Sequence, residues 1–392
     1  MSDAVLIVSP YDVEYGPPRT LEHVARAVEH AGLRPVCAVP PSALLTAGLR
    51  ELDPDVVLVP SLGTVPRTLS PIRLGRFLRG HLAAAHDIAR AAAEIDAAAI
   101  YSISEAIFCG GVAARRTRLP SIVHVIGMSI QHPRWGARTY IPLLNGLTDR
   151  FVACSSAVAD MLEANGVPDE KIAVVHNGIA VADVVAGCDF PAPELDHAGP
   201  RIGMFSAFDR RKGHELFVET AAVLARDHPN ARFYLVGGIL KGQADSADFA
   251  ARITRLVHER GLSERIVTVG HVSPPGVYAW MNAMDVVVVP SRTEAFAHVL
   301  LEAMACSKAV VATRIEGNLD AFVEGDSGLY VTPHPYEMAR AVSKLLANPA
   351  LRQSLGAKAR RRVSLLFDTT VTIPAVADVV AATVEDRESV TV

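Results

Sequence analysis

Short, uninterrupted apolar runs alternate along this chain with longer stretches of helical periodicity. In the first half the runs fall at residues 5–8, 56–60, 100–102, 122–125 and 151–154. Between them lie an amphipathic stretch at 20–31 and an Ala-rich one around 82–93. Runs of this length without polar alternation read as strands buried on both faces, and the repeated order strand, helix, strand predicts a parallel sheet covered by helices on both sides. After Cys154, Ser155 or Ser156 can cap a helix that runs to Asn165, where Gly166 stops it. The string IAVVHNGI then reads as a strand ending in an Asn-Gly turn at Asn177 and Gly178. Residues 179–199 lose periodicity and collect Asp, Pro and Gly, the signature of a linker. A second alternating series follows, with strands at 202–205, 233–236, 266–269, 286–289, 309–312 and 328–331 and helices at 213–227 and 249–260. The last helical stretch covers about 370–383, and no internal repeat or low-complexity tract interrupts the pattern. The expected organisation is therefore an N-terminal α/β domain over 1–178, a linker over 179–199, a second α/β domain over 200–369 and a C-terminal helix and tail over 370–392.

Composition narrows the partners. With 392 residues, half hydrophobic and a fifth charged, the chain is globular material long enough for two cores. The formal net charge is −4, and the acidic excess lies before Asp196. No basic face is advertised, so nucleic acid is not an expected partner. No apolar run approaches the ~20 residues of a membrane span, so stable membrane insertion is not expected either. The opening MSDAVLIVSPYD carries Asp where a signal peptide carries basic residues, and it reads as the first strand. Five cysteines without paired metal-type spacing (Cys37, Cys109, Cys154, Cys188, Cys306) fit reduced thiols and a cytoplasmic location.

The candidate chemistry concentrates in SRTEAFAHVLLEAMA, residues 291–305, where Glu294 and Glu302 stand eight positions apart across the opening of an amphipathic helix. The run Val286 to Val289 before it places Glu294 in a loop at the carboxyl end of a strand, where open α/β sheets bind ligands. The first N–H groups of the helix that follows offer a site for a phosphate. Two carboxylates so placed can serve one ligand, although both can also be solvated groups at a helix start, where the dipole favours them. Upstream, Lys212 is one of only six lysines and sits at a helix start, where its charge opposes the dipole unless a ligand explains it.

This stretch resembles the signature of the family-four retaining glycosyltransferases. The likeness extends to DRRKGHELFVETAAVLARDHPNARFYLVGG, to TDRFVACSSAVADMLEANGVPDEKIAVVHNGI and to EGNLDAFVEGDSGLYV. The resemblance implies the GT-B fold: α/β, with two doubly wound Rossmann-like domains facing across a cleft and a closing helix that crosses back to the first. It implies transfer of a sugar from a nucleotide-diphosphate sugar, which is a substrate and not a cofactor, to a soluble small-molecule or glycan acceptor. By the same resemblance Glu294 meets the transferred sugar, Glu302 binds the ribose hydroxyls and Lys212 meets the diphosphate. Ala295, Phe296, Ala297, His298 and Val299 line the donor, Gly270 lies beside the nucleotide base, and His271 is either a base contact or a plain loop histidine. Gly16 belongs to the first loop, and His124 is offered as the catalytic residue of the first domain.

Several positions depart from the family pattern. Ala207 stands where an Arg is usual, leaving Arg210 or Arg211 to supply the second cation. Pro17, which has no N–H to give a phosphate, follows Gly16. Ile126 holds the place of the usual histidine, with His124 two positions earlier on the same face, and Ala297 and Ser307 replace glycines. A leaving diphosphate served by cations and helix N–H groups needs no metal. Asp53 and Asp55 have a metal-type spacing, but they immediately precede a strand and read as its polar entrance. The competing readings are a sugar-nucleotide epimerase of the same architecture and a catalytically inactive, glycosyltransferase-like accessory subunit.

Overall fold

A computed structural model describes residues 3–11, 17–43, 45–63, 71–127, 134–191, 195, 198–240 and 244–391. The chain divides into two compact units, one of Met1–Gly178 with Thr370–Val392 and the other of Ile179–Thr369.

Seven parallel strands build the sheet of the first unit: β1 (Ala4–Val8), β2 (Arg34–Val39), β3 (Asp55–Leu58), β4 (Ala97–Ile103), β5 (Ser121–Val125), β6 (Arg150–Ala153) and β7 (Ile172–Val174). Their order is β3-β2-β1-β4-β5-β6-β7. Every residue of β1 and β4 is buried, which is why those strands read as continuous apolar runs. β3 is one of the two edges, and Val56 and Leu58 are exposed on it. The helix Thr369–Thr391 joins this unit: Val376, Ala377 and Val380 share a core with Leu21, Val24 and Val28 of the helix Pro17–His30.

The second unit repeats the plan with β8 (Arg201–Phe205), β9 (Arg232–Val236), β10 (Ile266–Gly270), β11 (Val286–Val289), β12 (Ala309–Thr313) and β13 (Leu329–Val331), again all parallel. The order is β10-β9-β8-β11-β12-β13, around a core that includes Phe217, Phe233, Phe249, Val286 and Val288. Both sheets are thus doubly wound. In each, the winding direction reverses once, between β1 and β4 and between β8 and β11. At such a reversal the loops leaving the two strands part in opposite directions and open a crevice at the strands' carboxyl ends.

Several elements escape the sequence pattern. β2 begins Arg-Pro, which blurs its apolar run, and the helix Pro71–Glu94 extends well before the Ala-rich part because Gly75 and Gly80 dilute the periodicity there. The segment read as a linker contains a helix, Val181–Cys188, whose Val181, Val184 and Gly187 are buried. Gly187 is required there, since a Cβ would lie 2.5 Å from the Tyr278 ring.

Candidate donor site at the second switch point

The crevice between β8 and β11 brings Lys212 and Glu294 together from loops 82 positions apart, and the Lys212 ammonium donates to Glu294 Oε1 over 2.6 Å. The Ser291 hydroxyl donates to the same oxygen over 2.7 Å. The pair is half-sheltered, with 29% of the Lys212 side chain and 12% of the Glu294 side chain exposed.

Local chain geometry explains why these loops meet. After β8, Asp209 caps a 3₁₀ turn, Arg210–Lys212, by accepting the Arg211 N–H. Gly213 then takes φ +78°, and a Cβ there would lie 1.9 Å from the carbonyl oxygen of Pro290 at the end of β11. Only glycine permits both the left-handed backbone and this approach. The β12 loop adds a third contact: a Cβ on Gly317 would come within 2.0 Å of the Glu294 carbonyl. The Arg292 N–H donates to the Arg211 carbonyl over 2.7 Å, and the Thr313 hydroxyl donates to the Ser291 carbonyl, closing the cradle.

Beyond Glu294, Ala295, Phe296 and Ala297 are buried, with the Phe296 ring 5.3 Å from that of Phe367. The helix His298–Ala305 starts at Ala297, which has no side-chain cap to give its first N–H groups. Ala297 sits at φ −81°, so alanine replaces the usual glycine there without backbone strain. Ser307 differs: its φ is +54°, a conformation that costs an L-residue about 1–2 kcal/mol. Glu302 lies in the second turn of the helix and is 7% exposed. Met204, Ser206, Lys212, Ser291 and Val299 line the crevice floor. On the β9 and β10 side, Gly270 (φ +85°) accepts the Gly237 N–H over 2.8 Å, and His271 is exposed beside Gly238.

The two arginines expected to replace the missing cation are otherwise engaged. Arg211 makes a fork-like pair with Asp209, Nη2 to Oδ2 at 2.7 Å, and the Arg210 guanidinium lies 5.1 Å from the centre of the Phe249 ring. Burial pushes the Asp209 carboxyl up, but the pairing with Arg211 outweighs it and holds the group below the usual carboxylate range. His214, unremarked in the sequence, is buried between Phe208 and Phe249 just behind this loop, and burial brings its pKa down to about 4. Its signal was its place next to Lys-Gly, as Asp209's was its place before a basic turn.

His124 belongs to the first unit. It is 3% exposed in β5, its Nδ1 lies 3.1 Å from the Tyr101 hydroxyl, and burial followed by the neighbouring His23 lowers its pKa to about 3. Its imidazole is neutral and buried in the strand, with Nε2 lacking a hydrogen-bond partner. Gly16 lies outside the described residues. Asp53 ends the helix Ala47–Leu52 in a left-handed conformation, and Asp55 pairs with Arg34 at 2.6 Å on entering β3.

Two Rossmann-like units, the second with a cation and a carboxylate meeting at its switch point, define a chain of the GT-B class. Residues 15–183 match the family model described as Glycosyltransferase Family 4, and residues 189–362 match that described as Glycosyl transferases group 1. Two glycosyltransferase family models thus account between them for most of the chain. It is 30% identical over 226 residues to a D-inositol 3-phosphate glycosyltransferase of Pseudarthrobacter chlorophenolicus, covering 56% of this chain and 52% of that protein. It is 31% identical over 197 residues to the lipopolysaccharide core biosynthesis mannosyltransferase LpcC of Rhizobium leguminosarum bv. viciae, covering 50% and 53%. The chain thus spans about half the length of the curated relatives it matches. In structure it is similar to Anabaena HepE, solved with UDP and glucose, with a TM-score of 0.79 at 20% identity over 97% of this chain and 99% of HepE, a likeness of fold. Among the described residues no helix is long and apolar enough to cross a membrane.

Proposed function

We propose that this protein is a retaining glycosyltransferase that moves a sugar from a nucleotide-diphosphate sugar to a small-molecule or glycan acceptor without a metal. The observation that carries this reading is the Lys212–Glu294 pair at the carboxyl ends of β8 and β11. In the free protein each charge neutralises the other. A donor diphosphate entering the crevice competes for the ammonium, and the carboxylate it releases is then available to the hydroxyls of the sugar. As the bond to the diphosphate breaks, negative charge grows on the leaving oxygen, where Lys212 and the N–H groups at the start of the helix His298–Ala305 stabilise it. Glu302 holds the ribose from inside the same helix, and Gly270 with His271 borders the base. UDP and glucose in the similar HepE make uridine donors the first to test, and the relatives' names point to a polyol phosphate or a glycan as acceptor.

A thermal-shift panel of nucleoside diphosphates and their sugars, followed by transfer assays with excess EDTA, tests this reading. A bound donor at 100 times its Kd stabilises by about 2.7 kcal/mol. Transfer that persists in EDTA supports the metal-free mechanism, and loss restored by manganese or magnesium refutes it. A second reading, an inactive partner of an active transferase, draws on the engagement of Arg210 and Arg211 with Phe249 and Asp209. It requires nucleotide binding with no transfer to any acceptor by this protein alone.

A further inference from the structure

Cys188 and Cys306 are 118 positions apart in sequence, yet their sulfurs lie 3.1 Å from each other. Cys188 ends the helix Val181–Cys188, and Cys306 follows the helix His298–Ala305 that carries Glu302. Both helix ends are held firmly. Gly187 packs against the Tyr278 ring, the Asn282 side chain donates to the Cys188 carbonyl over 3.1 Å, and the Cys306 N–H donates to the Glu302 carbonyl over 3.0 Å. A disulfide brings its sulfurs to about 2.0 Å, so closing this pair takes a movement of roughly one ångström. All five cysteines are free thiols, but they are not equivalent. Cys37 and Cys109 are buried and their thiols are pushed up to about 12, which keeps them protonated and inert. Cys188 is part-exposed. The hydrogen bond to Cys306 lowers its pKa against the opposing effect of burial, and the charges of Lys308 and Arg360 lower it further, whereas Cys306 is shifted up.

We propose that Cys188 and Cys306 are an oxidative modification site, closed to a disulfide by a low-molecular-weight disulfide such as oxidised glutathione and reopened by thiols. The Cys188 thiolate attacks one sulfur of the oxidant, forming a mixed disulfide and releasing one glutathione thiolate, which takes the proton Cys188 lost. The Cys306 thiol then gives up its proton and attacks Cys188 Sγ, which forms the internal disulfide and releases the second glutathione. Two protein thiols are oxidised and one small disulfide is reduced to two thiols. Disulfides in reducing compartments are characteristically transient and redox-sensing, and a bridge here staples the entry helix of the second unit to the helix bearing Glu302. The proposal stands apart from the sugar-transfer reading.

The test uses the full chain incubated with oxidised glutathione, then denatured, alkylated and mapped by mass spectrometry. The expected result is alkylation of Cys37, Cys109 and Cys154 only, a linked Cys188–Cys306 peptide, and a raised thermal midpoint that dithiothreitol reverses. Cys306→Ser should accumulate glutathione on Cys188, because the resolving thiol is gone. Cys188→Ser, which changes a part-exposed side chain and keeps the test open if Cys306→Ser fails to fold, should form no bridge and show no midpoint shift. Alkylation of all five thiols in the wild type, a bridge between other cysteines, or an unchanged midpoint on oxidation would overturn the proposal.

Discussion

Replacing Lys212 by Ala removes the ammonium that holds Glu294 Oε1 at 2.6 Å and leaves that carboxylate, 12% exposed, with the Ser291 hydroxyl as its remaining partner in the cradle. Two effects of different size follow. A hydrogen bond between charged groups contributes about 1.5–3 kcal/mol, and because Lys212 is 29% exposed solvent screening reduces this to about 1 kcal/mol of fold stability. In a unit of this size that lowers the thermal midpoint by about 2–4 °C. The effect on transfer is larger. One well-placed donor to a developing negative charge is worth about 3–4 kcal/mol in a water-excluded site, a loss of 10²- to 10³-fold in kcat. Within the described part of the Lys212 loop, Ala207 carries no charge and Arg211 is paired with Asp209. The assay measures kcat at saturating donor together with the melting temperature, with Lys212→Met as a control that keeps the apolar stem. A small loss of stability with a collapse of kcat in both variants is expected. Near-normal kcat at saturating donor would refute the leaving-group role, and a melting temperature lowered by tens of degrees would show the pair to be chiefly structural.

Three further outcomes are expected. Glu302→Ala should weaken nucleoside diphosphate binding by about 1.5–3 kcal/mol, while Glu294→Ala lowers turnover with a smaller loss of affinity; equal losses in isothermal titration would reject that division of roles. His124→Ala should lower the melting temperature, because Tyr101 loses its buried partner, and should leave turnover of the folded protein unchanged; a fall in turnover at wild-type stability would restore a catalytic place for it. Stability should decline as pH falls from about 6.5 towards 4: His23 and His214 titrate near 4 when folded and near 6.5 when unfolded, so the unfolded chain binds protons first and stability rises with pH across that window. Urea midpoints across this range check it, and a flat profile would rule the two histidines out as the acid-labile groups.

Much of the fold was legible because a parallel sheet covered on both faces imposes an unusually plain code. Val286–Val289 is four valines with both faces buried, and nothing else in this chain but a strand of that kind has reason to be written so. The code weakens where burial is one-sided or brief. The helix Val181–Cys188 rests on three buried positions, too few to establish a period, so its Asp and Gly dominated and it read as linker. The helix Pro349–Leu366 is rich in Arg and Lys and buries only Leu355, Gly356, Ala359 and Val363, which leaves little apolar stripe to see.

The site divides along the same line. Lys212 and Glu294 could each be picked out, because a scarce lysine before glycine and a glutamate after a valine strand are local facts. That the two form one ion pair could not, since the sheet order places β8 beside β11 across 82 positions of chain and no local pattern records that adjacency. The glycines come closest to recording it. Gly213 and Gly317 each leave room for a backbone carbonyl of the β11 loop, within 2 Å of where a side chain would begin. Each is therefore a mark in the sequence of a contact between loops. The departures sort by the same physics. Ala297 occupies a backbone region open to any residue and costs nothing, Ser307 occupies one that favours glycine and carries strain, and Ala207 removes a charge that the nearby arginines, held by Asp209 and Phe249, do not replace in the free protein. The effect of that loss is therefore to be sought in donor affinity and turnover, and that of Ser307 in stability.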